Sequence, residues 1–241
     1  MAIQDTPSDD GRTGQSLLGA AAAALARREP GIPADFLDKF FGRAAPDDLE
    51  RYRPEQLAAL AVQSWATFAA RRPGTPKVRL ATAAMTPGVT ALDVVNDDMP
   101  FLVDSVVGEL TERGLDVLLL VHPVFLVERD PAGTLTGFED NRHGDGRRES
   151  FIHIHIDGLL DEAATADLIR SLEAILDEVR VCVQDWQTML KRAREAIAEL
   201  RKNPPPLPVE EIAEAVQFLE WLIGDNFTLL GSRDYAYTDN E

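Results

Sequence analysis

The stretch from Thr90 to Asp157 constrains the fold most, because it contains one compact strand, helix, strand, strand pattern. Residues 90–95 alternate like a strand, and an amphipathic helix follows that ends at Gly114. Residues 115–128 are apolar on both alternating faces, which predicts a central strand covered on two sides, and residues 149–157 predict another strand. The buried face of the helix is expected to contain Val103, Val106, Val107 and Leu110.

The segments around this pattern extend it to a complete domain. A short alternating segment around Val78 and Leu80 predicts one more strand, and residues 161–179 have the strong periodicity of an amphipathic helix. That helix is predicted to continue into 186–202, with a bend at 181–185. Strand, helix, strand, strand, helix is the order of a ferredoxin-like α+β sandwich, an antiparallel sheet with helices on one face. The glycine-containing loop 130–148 is long for a hairpin, so it is predicted to be mobile or engaged by another part of the molecule.

Five segments are predicted along the chain. The sheet domain is preceded by a small helical region and followed by a helical connector, which a proline-rich run at 204–208 interrupts. The predicted segments are a disordered leader at 1–14, the N-terminal helical region at 15–74, the sheet domain at 75–185, the connector at 186–224, and a truncated second module at 225–241. Because a strand at the very end has no room for its partners, the chain is interpreted as a fragment of a longer polypeptide.

The composition disfavours several classes of partner. Lys and Arg number 24 against 41 Asp and Glu, so the formal net charge of −17 repels nucleic acids and anionic membrane surfaces. The one cysteine, Cys182, cannot form an internal disulfide or a thiolate metal site, which fits a reducing compartment. No segment reaches the roughly 20 apolar residues of a membrane span. A cytoplasmic protein is therefore predicted.

The turn between the first strand and first helix of the pattern is a candidate effector site. In such a module this turn places backbone N–H groups at a helix N-terminus, where a carboxylate can bind. A simpler alternative is that Asp97 or Asp98 caps the helix. The candidate residues are Asn96, Asp97, Asp98, Met99, Pro100 and Phe101.

Histidines are the other candidate source of chemistry. His153 and His155 lie two apart on one predicted strand and share a face with Phe151, while Ile152, Ile154 and Ile156 point to the helix-covered face. His122, on the neighbouring strand, is placed on the same face, and three imidazoles could bind zinc. The favoured interpretation is instead that His122, Phe151, His153 and His155 form a docking face for another module or subunit, with a solvated face as the alternative. No metal ligand is assigned.

Several blocks of sequence, in matching order over about residues 89–237, resemble one enzyme family. They are NDDMPFLVDSV, RGLDVLLLVHPVF, ESFIHIHID, VQDWQTML and EAVQFLEWLIGDNFTLLGSRDY. Together they are similar to the N-terminal region of the large bacterial NAD-dependent glutamate dehydrogenases. The turn itself resembles that of the amino-acid-sensing ACT domain, Asp, any residue, Pro, Gly, except that Phe101 replaces the glycine.

The resemblance implies a non-catalytic regulatory or assembly segment, because the catalytic region of that family lies much later in its chains. The residues agree, since the sequence contains neither a Gly-x-Gly-x-x-Gly after a strand nor a Gly-Lys-Ser/Thr loop, and no catalytic residue or cofactor is assigned here. NAD belongs to the parent enzyme. The implied partners are other domains and subunits of a homo-oligomeric parent and an amino-acid effector. Two alternatives are a free-standing sensor that dimerises through ACT modules and a metalloenzyme that uses the three histidines.

Overall fold

The computed structural model describes residues 9–33, 35–140, 146–233 and 235. The elements in chain order are α1 (Asp9–Arg28), α2 (Phe36–Phe41), α3 (Pro46–Leu49), α4 (Pro54–Phe68), β1 (Lys77–Thr82), β2 (Val89–Asp97), α5 (Leu102–Glu112), β3 (Val117–Val121), β4 (Val124–Arg129), β5 (Leu135–Asp140), β6 (Arg147–Asp157), α6 (Glu162–Lys202) and α7 (Val209–Trp221). They form two compact units, and the boundary between them falls inside α6, after Asp177.

The first unit is built on one fully antiparallel sheet. Its strand order is β1, β2, β6, β4, β5, and β3 also pairs with β6. β3 and β4 follow one another along the same edge of β6, with Val121 opposite His153 and Val124 opposite Ser150. The α+β fold with an antiparallel sheet is thus confirmed.

Two features of the strands differ from the sequence prediction, a divided strand and an additional one. The single central strand predicted for 115–128 is divided into β3 and β4 at His122 and Pro123, because proline has no N–H to donate to a ladder. The Pro123 carbonyl still accepts a hydrogen bond from the Phe151 N–H at 2.9 Å. The predicted loop 130–148 contains β5, which pairs with β4, so that part of the loop prediction was wrong. Residues 141–145 of that loop lie outside the described residues.

Helices cover both faces of the sheet. The N-terminal layer, defined as α1 to α4, packs against the face that contains Ala91, Val95 and Phe151, and these residues join the phenylalanines of α2 and α4 in one core. On the other face Ile152, Ile154 and Ile156 are equally buried, as are Leu110 of α5 and Leu172 of α6. The two helices are linked by Ser171, which donates to Glu109 at 2.6 Å, and by the Arg113–Asp167 ion pair at 2.7 Å. The prediction of helices on one face is therefore met by α5 and α6, and the N-terminal layer adds a second helical face.

The N-terminal layer begins earlier than its periodicity predicts. α1 begins at Asp9 rather than Gln15, and residues 1–8 of the predicted leader lie outside the described residues. Gly14 is buried, and a Cβ at this position would come 3.6 Å from the Cβ of Pro46, an ordinary van der Waals contact between α1 and α3. The predicted inward face of α2, with Phe36, Leu37, Phe40 and Phe41, is buried in full.

The second unit comprises the rest of α6, α7 and the segment after it. α6 ends at Lys202, before the proline-rich run, and it is continuous through 181–185, where a bend was predicted. Arg201 of α6 and Glu220 of α7 form an ion pair at 2.6 Å. Residues 222–226 form one π-helical turn, and 227–233 contain no strand, so the strand predicted there was wrong for these residues. Asp234 and residues 236–241 lie outside the described residues.

None of the helices in the described part of the chain combines the length and apolar character that crossing a lipid bilayer requires.

Candidate functional site

The two strand histidines belong to a chain of four hydrogen-bonded side chains, here named the histidine chain. Tyr52 Oη lies 2.7 Å from His155 Nδ1, His155 Nε2 lies 3.1 Å from His153 Nε2, and His153 Nδ1 lies 2.7 Å from Asp93 Oδ1. All four residues are buried. The histidine chain therefore runs unbroken from the N-terminal layer, which contributes Tyr52, to the two central strands.

Strand pairing explains why these groups meet. Asp93 on β2 is the direct antiparallel partner of His153 on β6, and His155 follows two residues later on the same face. From the helical side, the hydroxyls of Ser64 and Thr67 on α4 donate to the two carboxylate oxygens of Asp93 at 3.1 and 3.0 Å. The carboxylate is thus bound by the sheet and by the N-terminal layer together.

Burial determines the protonation of His155 and Tyr52. Desolvation, and then the nearby His153, lower the pKa of His155 from 6.5 to about 3, while Asp93 acts weakly in the other direction. Burial also raises the pKa of the Tyr52 hydroxyl. His155 is therefore neutral at neutral pH, and Tyr52 keeps its proton. Since a carboxylate can only accept, His153 donates to Asp93 through Nδ1.

The residues of the predicted docking face are occupied by the protein itself. Phe151, His153 and His155 are almost fully buried, and the Phe40 ring contacts Phe151 with a centroid distance of 4.9 Å. Phe40 also contacts the His153 ring at 5.4 Å. The face that was expected to be exposed for docking is thus covered by the N-terminal layer of the same chain, because those helices carry the aromatic surface that fits it.

His122 lies apart from the other two histidines. Its Nε2 is 2.6 Å from Ser150 Oγ, and Ser150 alternates with Phe151 on β6, so it belongs to the opposite face. Burial lowers the pKa of His122. The three imidazoles therefore do not converge. Across the residues that the structure describes, no group of three His, Cys, Asp or Glu side chains is arranged to bind a metal ion.

A second buried polar group adjoins the histidine chain, here named the ion cluster. It consists of Arg71, Arg129, Glu149 and Asp97. Glu149 has no exposed side-chain surface and accepts from Arg71 at 2.7 Å and, with both oxygens, from Arg129 at 2.8 and 2.7 Å. Arg71 also donates to Asp97 at 3.0 Å through both terminal nitrogens. These charge-assisted contacts, of which the Arg129–Glu149 pair is bidentate, join the segment after α4 to β2, β4 and β6.

The ion cluster reaches the predicted effector turn through Asp97, the last residue of β2. Because its carboxylate binds Arg71, Asp97 does not cap α5, and the N-cap position of α5 makes no side-chain hydrogen bond. Asp98 contributes its backbone N–H to the Arg148 carbonyl at 3.0 Å. The capping alternative from the sequence was therefore wrong for both aspartates, since the helix begins later, at Leu102.

Phe101 has an unusual backbone in this turn. It occupies the left-handed region, with φ 70° and ψ −1°, and its side chain is 44% exposed. This is the conformation that glycine adopts without steric cost, so the backbone is of the kind expected at the ACT glycine even though the residue differs. Asn96 is buried in the same turn, whereas Pro100 is exposed. Binding of an effector at this turn stays a prediction.

Sequence reasoning missed two of the four members of the histidine chain, Tyr52 and Asp93, and three of the four members of the ion cluster, Arg71, Arg129 and Glu149. Asp93 interrupts an apolar strand and Glu149 begins one, and charged residues in such positions are buried only when they are paired. The sequence alone could therefore have indicated that Asp93 and Glu149 have buried partners. By contrast, nothing local in the sequence connects Tyr52 or Arg71 to residues about 100 and 78 positions away.

Comparison with known proteins agrees with this architecture. The family model "Glutamate dehydrogenase, ACT1 domain" matches residues 36–172, more than half of the chain. The matched region begins at α2, so it includes most of the N-terminal layer as well as the sheet.

Three relatives carry the name NAD-specific glutamate dehydrogenase. The Pseudomonas aeruginosa protein is 30% identical over 211 residues, covering 85% of this chain, and the Halomonas elongata protein is 33% identical over 214 residues, covering 86%. The Mycobacterium tuberculosis protein is 28% identical over 144 residues, covering 58%. The chain spans only 13% of the length of the first two and 9% of the third. With more than half of its length matched by that family model, the chain belongs to the glutamate dehydrogenase family that carries the ACT1 domain.

Proposed function

We propose that this chain is the non-catalytic N-terminal regulatory and assembly segment of an NAD-dependent glutamate dehydrogenase. The parent would convert L-glutamate, NAD and water to 2-oxoglutarate, ammonia and NADH in the cytoplasm. The observation that carries the proposal is the match of residues 36–172 to the ACT1 domain, in relatives of which this segment is a small fraction. NAD would bind elsewhere in the parent, whose own domains and subunits would be the partners of this segment.

The chemistry of the described residues supports a non-catalytic role. The carboxylates of Asp93 and Glu149 and the imidazole of His155 are enclosed by protein partners. A general acid or base must come within hydrogen-bond reach of a substrate, which the covering N-terminal layer prevents. These groups therefore serve to join helices to the sheet.

The experiment compares the purified 241-residue chain with a longer polypeptide that contains it. NADH formation from glutamate and NAD is measured for both, together with molar mass by light scattering. We expect NADH from the longer polypeptide only, and a changed number of subunits per particle, obtained as the measured molar mass divided by the mass of one polypeptide, when residues 1–241 are deleted from it. Glutamate-dependent NADH formation by the chain alone would refute the proposal.

An effector would bind at the turn of Asn96, Asp97, Asp98, Met99, Pro100 and Phe101. The turn lies at the start of α5, and Asp97 links it to Arg71 of the ion cluster. A ligand bound at the turn would therefore act on the N-terminal layer through Arg71, which follows α4. Each of the twenty amino acids is added separately while the melting temperature is followed, since a ligand that binds only the folded chain raises it.

Two substitutions locate any such binding. Asp98→Asn should abolish a rise in melting temperature caused by an amino acid, whereas Asp104→Asn, on an exposed side chain of α5 beyond the turn, should retain it. No rise with any amino acid would leave the turn with a structural role only.

The proposed domain organisation keeps residues 186–224 as a connector and 225–241 as the start of a second ACT-like module. The apolar residues Phe227 and Leu230 are exposed in the present structure, which supports the proposal that they pack against further parts of such a module. A structure of a longer polypeptide tests this directly, and a helix over 227–233 would contradict it.

A further inference from the structure

The histidine chain lies in a mainly apolar and aromatic contact between the N-terminal layer and the sheet, in which the ion cluster is a second buried polar group. Phe40, Phe41 and Phe151 surround the His153 ring or its neighbours, and the rest of that core is aliphatic or aromatic. We propose that the histidine chain, Tyr52, His155, His153 and Asp93, is a proton-sensitive contact that holds the N-terminal layer on the sheet and releases it in acid.

Proton counting along the histidine chain shows how it would work. In the neutral form Tyr52 donates to His155 Nδ1, His155 donates through Nε2 to His153 Nε2, and His153 donates through Nδ1 to Asp93. One additional proton can be accommodated. His153 then donates from both nitrogens, and His155 accepts at Nε2 and donates from Nδ1 to the Tyr52 oxygen. No hydrogen bond is lost.

A second additional proton cannot be accommodated. Both Nε2 atoms would then carry hydrogen while lying 3.1 Å apart, so the His153–His155 hydrogen bond would be replaced by a repulsion between two cations. The site is buried, so water cannot solvate the charge unless the N-terminal layer moves. Two protonated histidines are therefore compatible only with an opened layer.

The contacts of the histidine chain show which part would move. On the helical side, Tyr52 in the link before α4 binds His155, and Ser64 and Thr67 of α4 bind Asp93. The sheet side is anchored by Asp93, His153 and His155, which are central in β2 and β6. The sheet keeps α5 and α6 on its opposite face, so opening the N-terminal layer need not unfold the sheet.

The charged groups around His153 and His155 act in opposite directions on an added proton. Asp93 attracts a first proton, while Arg79 lies 3.8 Å from Asp93 and opposes it. The aromatic residues of α2 contribute no charge. The titratable or charged groups that act on the histidine chain are Asp93, His153, Tyr52, Arg79, Asp48 and Arg51.

The expected effect of pH follows from linkage. An exposed His155 has a pKa of 6.5, and in the closed protein the pKa is about 3. Lowering the pH from 7 to 5 should therefore raise the ratio of open to closed layer by about 25-fold from His155 alone. Opening would expose Phe151 and the two histidines to water.

Hydrogen–deuterium exchange of the full chain tests this. The α4 amides are compared with the α5 amides at pH 7 and pH 5, after correction for the intrinsic pH dependence of exchange. We expect exchange of α4 to rise about 25-fold relative to α5. His155→Gln, whose amide can accept from Tyr52 and donate to His153 without titrating, should abolish that rise. His122→Asn, at a histidine outside the histidine chain, should leave it unchanged.

Three results would overturn the proposal. They are equal acceleration of α4 and α5, no acceleration of α4, and an unchanged pH response in His155→Gln. If His155→Gln does not fold, nuclear magnetic resonance of the unaltered chain decides instead. Neutral His155 should carry its proton on Nε2 at pH 7, and detection of a doubly protonated His155 while α4 stays protected would refute the mechanism.

Discussion

Replacement of Glu149 by glutamine should destabilise the first unit strongly. The carboxylate has no exposed surface and accepts three hydrogen bonds of 2.7 to 2.8 Å from Arg71 and Arg129. Glutamine preserves the shape but removes the charge, and its NH2 group can no longer accept. Both guanidinium groups are almost completely buried; Arg71 would keep its contact with Asp97, whereas Arg129 would have lost its carboxylate partner in the ion cluster.

The magnitude follows from the burial of those charges. Removing one partner from a buried ion pair costs about 3–5 kcal/mol, because the other charge stays in the interior without compensation. For a unit of this size, each 1 kcal/mol lowers the melting temperature by about 2–4 °C, so we expect a decrease of about 6–20 °C. The hydrogen bonds from Arg129 to the Gly133 and Phe68 carbonyls limit how far that guanidinium can move towards water.

Urea unfolding followed by circular dichroism measures the free energy of unfolding of the variant. The matched control is Glu139→Gln, because Glu139 also accepts from a cation, Lys39 at 2.9 Å, but its side chain is 77% exposed. An exposed pair contributes about 0.2–1 kcal/mol, so the control should change little. A loss below about 1 kcal/mol for Glu149→Gln, similar to the control, would show that the buried guanidinium groups relax freely and would refute the reasoning.

Three other changes have defined outcomes. The pKa of His155 is lower in the folded state, so stability is lost as the pH falls below 6.5, and His155 alone should lower the free energy of unfolding by about 2 kcal/mol between pH 7 and pH 5. His155→Gln should show a smaller decrease, because only groups such as His122, whose pKa burial also lowers, still contribute; an undiminished decrease would refute the assignment. Phe101→Gly should raise the melting temperature by relieving about 1 kcal/mol of left-handed backbone strain. A lower melting temperature than that of the unaltered chain would show that contacts of the Phe101 ring stabilise the fold by more than this strain costs. Gly133→Ala, at φ +90°, would place a Cβ 2.5 Å from the Arg71 carbonyl oxygen. It should cost about 1–3 kcal/mol more of stability than Gly88→Ala, a control at φ +78° with open space around it. Equal losses of stability in thermal unfolding would refute the close approach.

The main elements of the first unit follow from local patterns. The alternation in β6, the helical face of α5 and the glycine at its end predict three adjoining elements. The structure confirms Gly114, at φ +67°, with the Leu115 N–H bonded to the Leu110 carbonyl at 2.9 Å. β5 was missed because its apolar residues Leu135 and Phe138 are three apart rather than two, so the six-residue strand shows no alternation.

The candidate sites were only partly accessible to sequence reasoning. Period-two alternation correctly grouped Phe151, His153 and His155 on one face, yet it assigned that face to a partner. A strand pattern states which side chains share a face but not what covers it, because the covering element can come from any distance along the chain. For the same reason the capping prediction failed at Asp97, whose partner Arg71 lies 26 residues away.

The amino-acid sequence by itself determined the α+β class, the positions of most helices and strands, the grouping of residues on each strand face, and the resemblance to a glutamate dehydrogenase segment. These follow from local backbone preference and from ordered sequence blocks. Only the tertiary structure decided that the N-terminal layer covers the histidine face, that Tyr52 and Asp93 complete the histidine chain, and that Glu149 binds two arginines. Those contacts join residues far apart in sequence, and the free energy that selects them comes from burying one element against another.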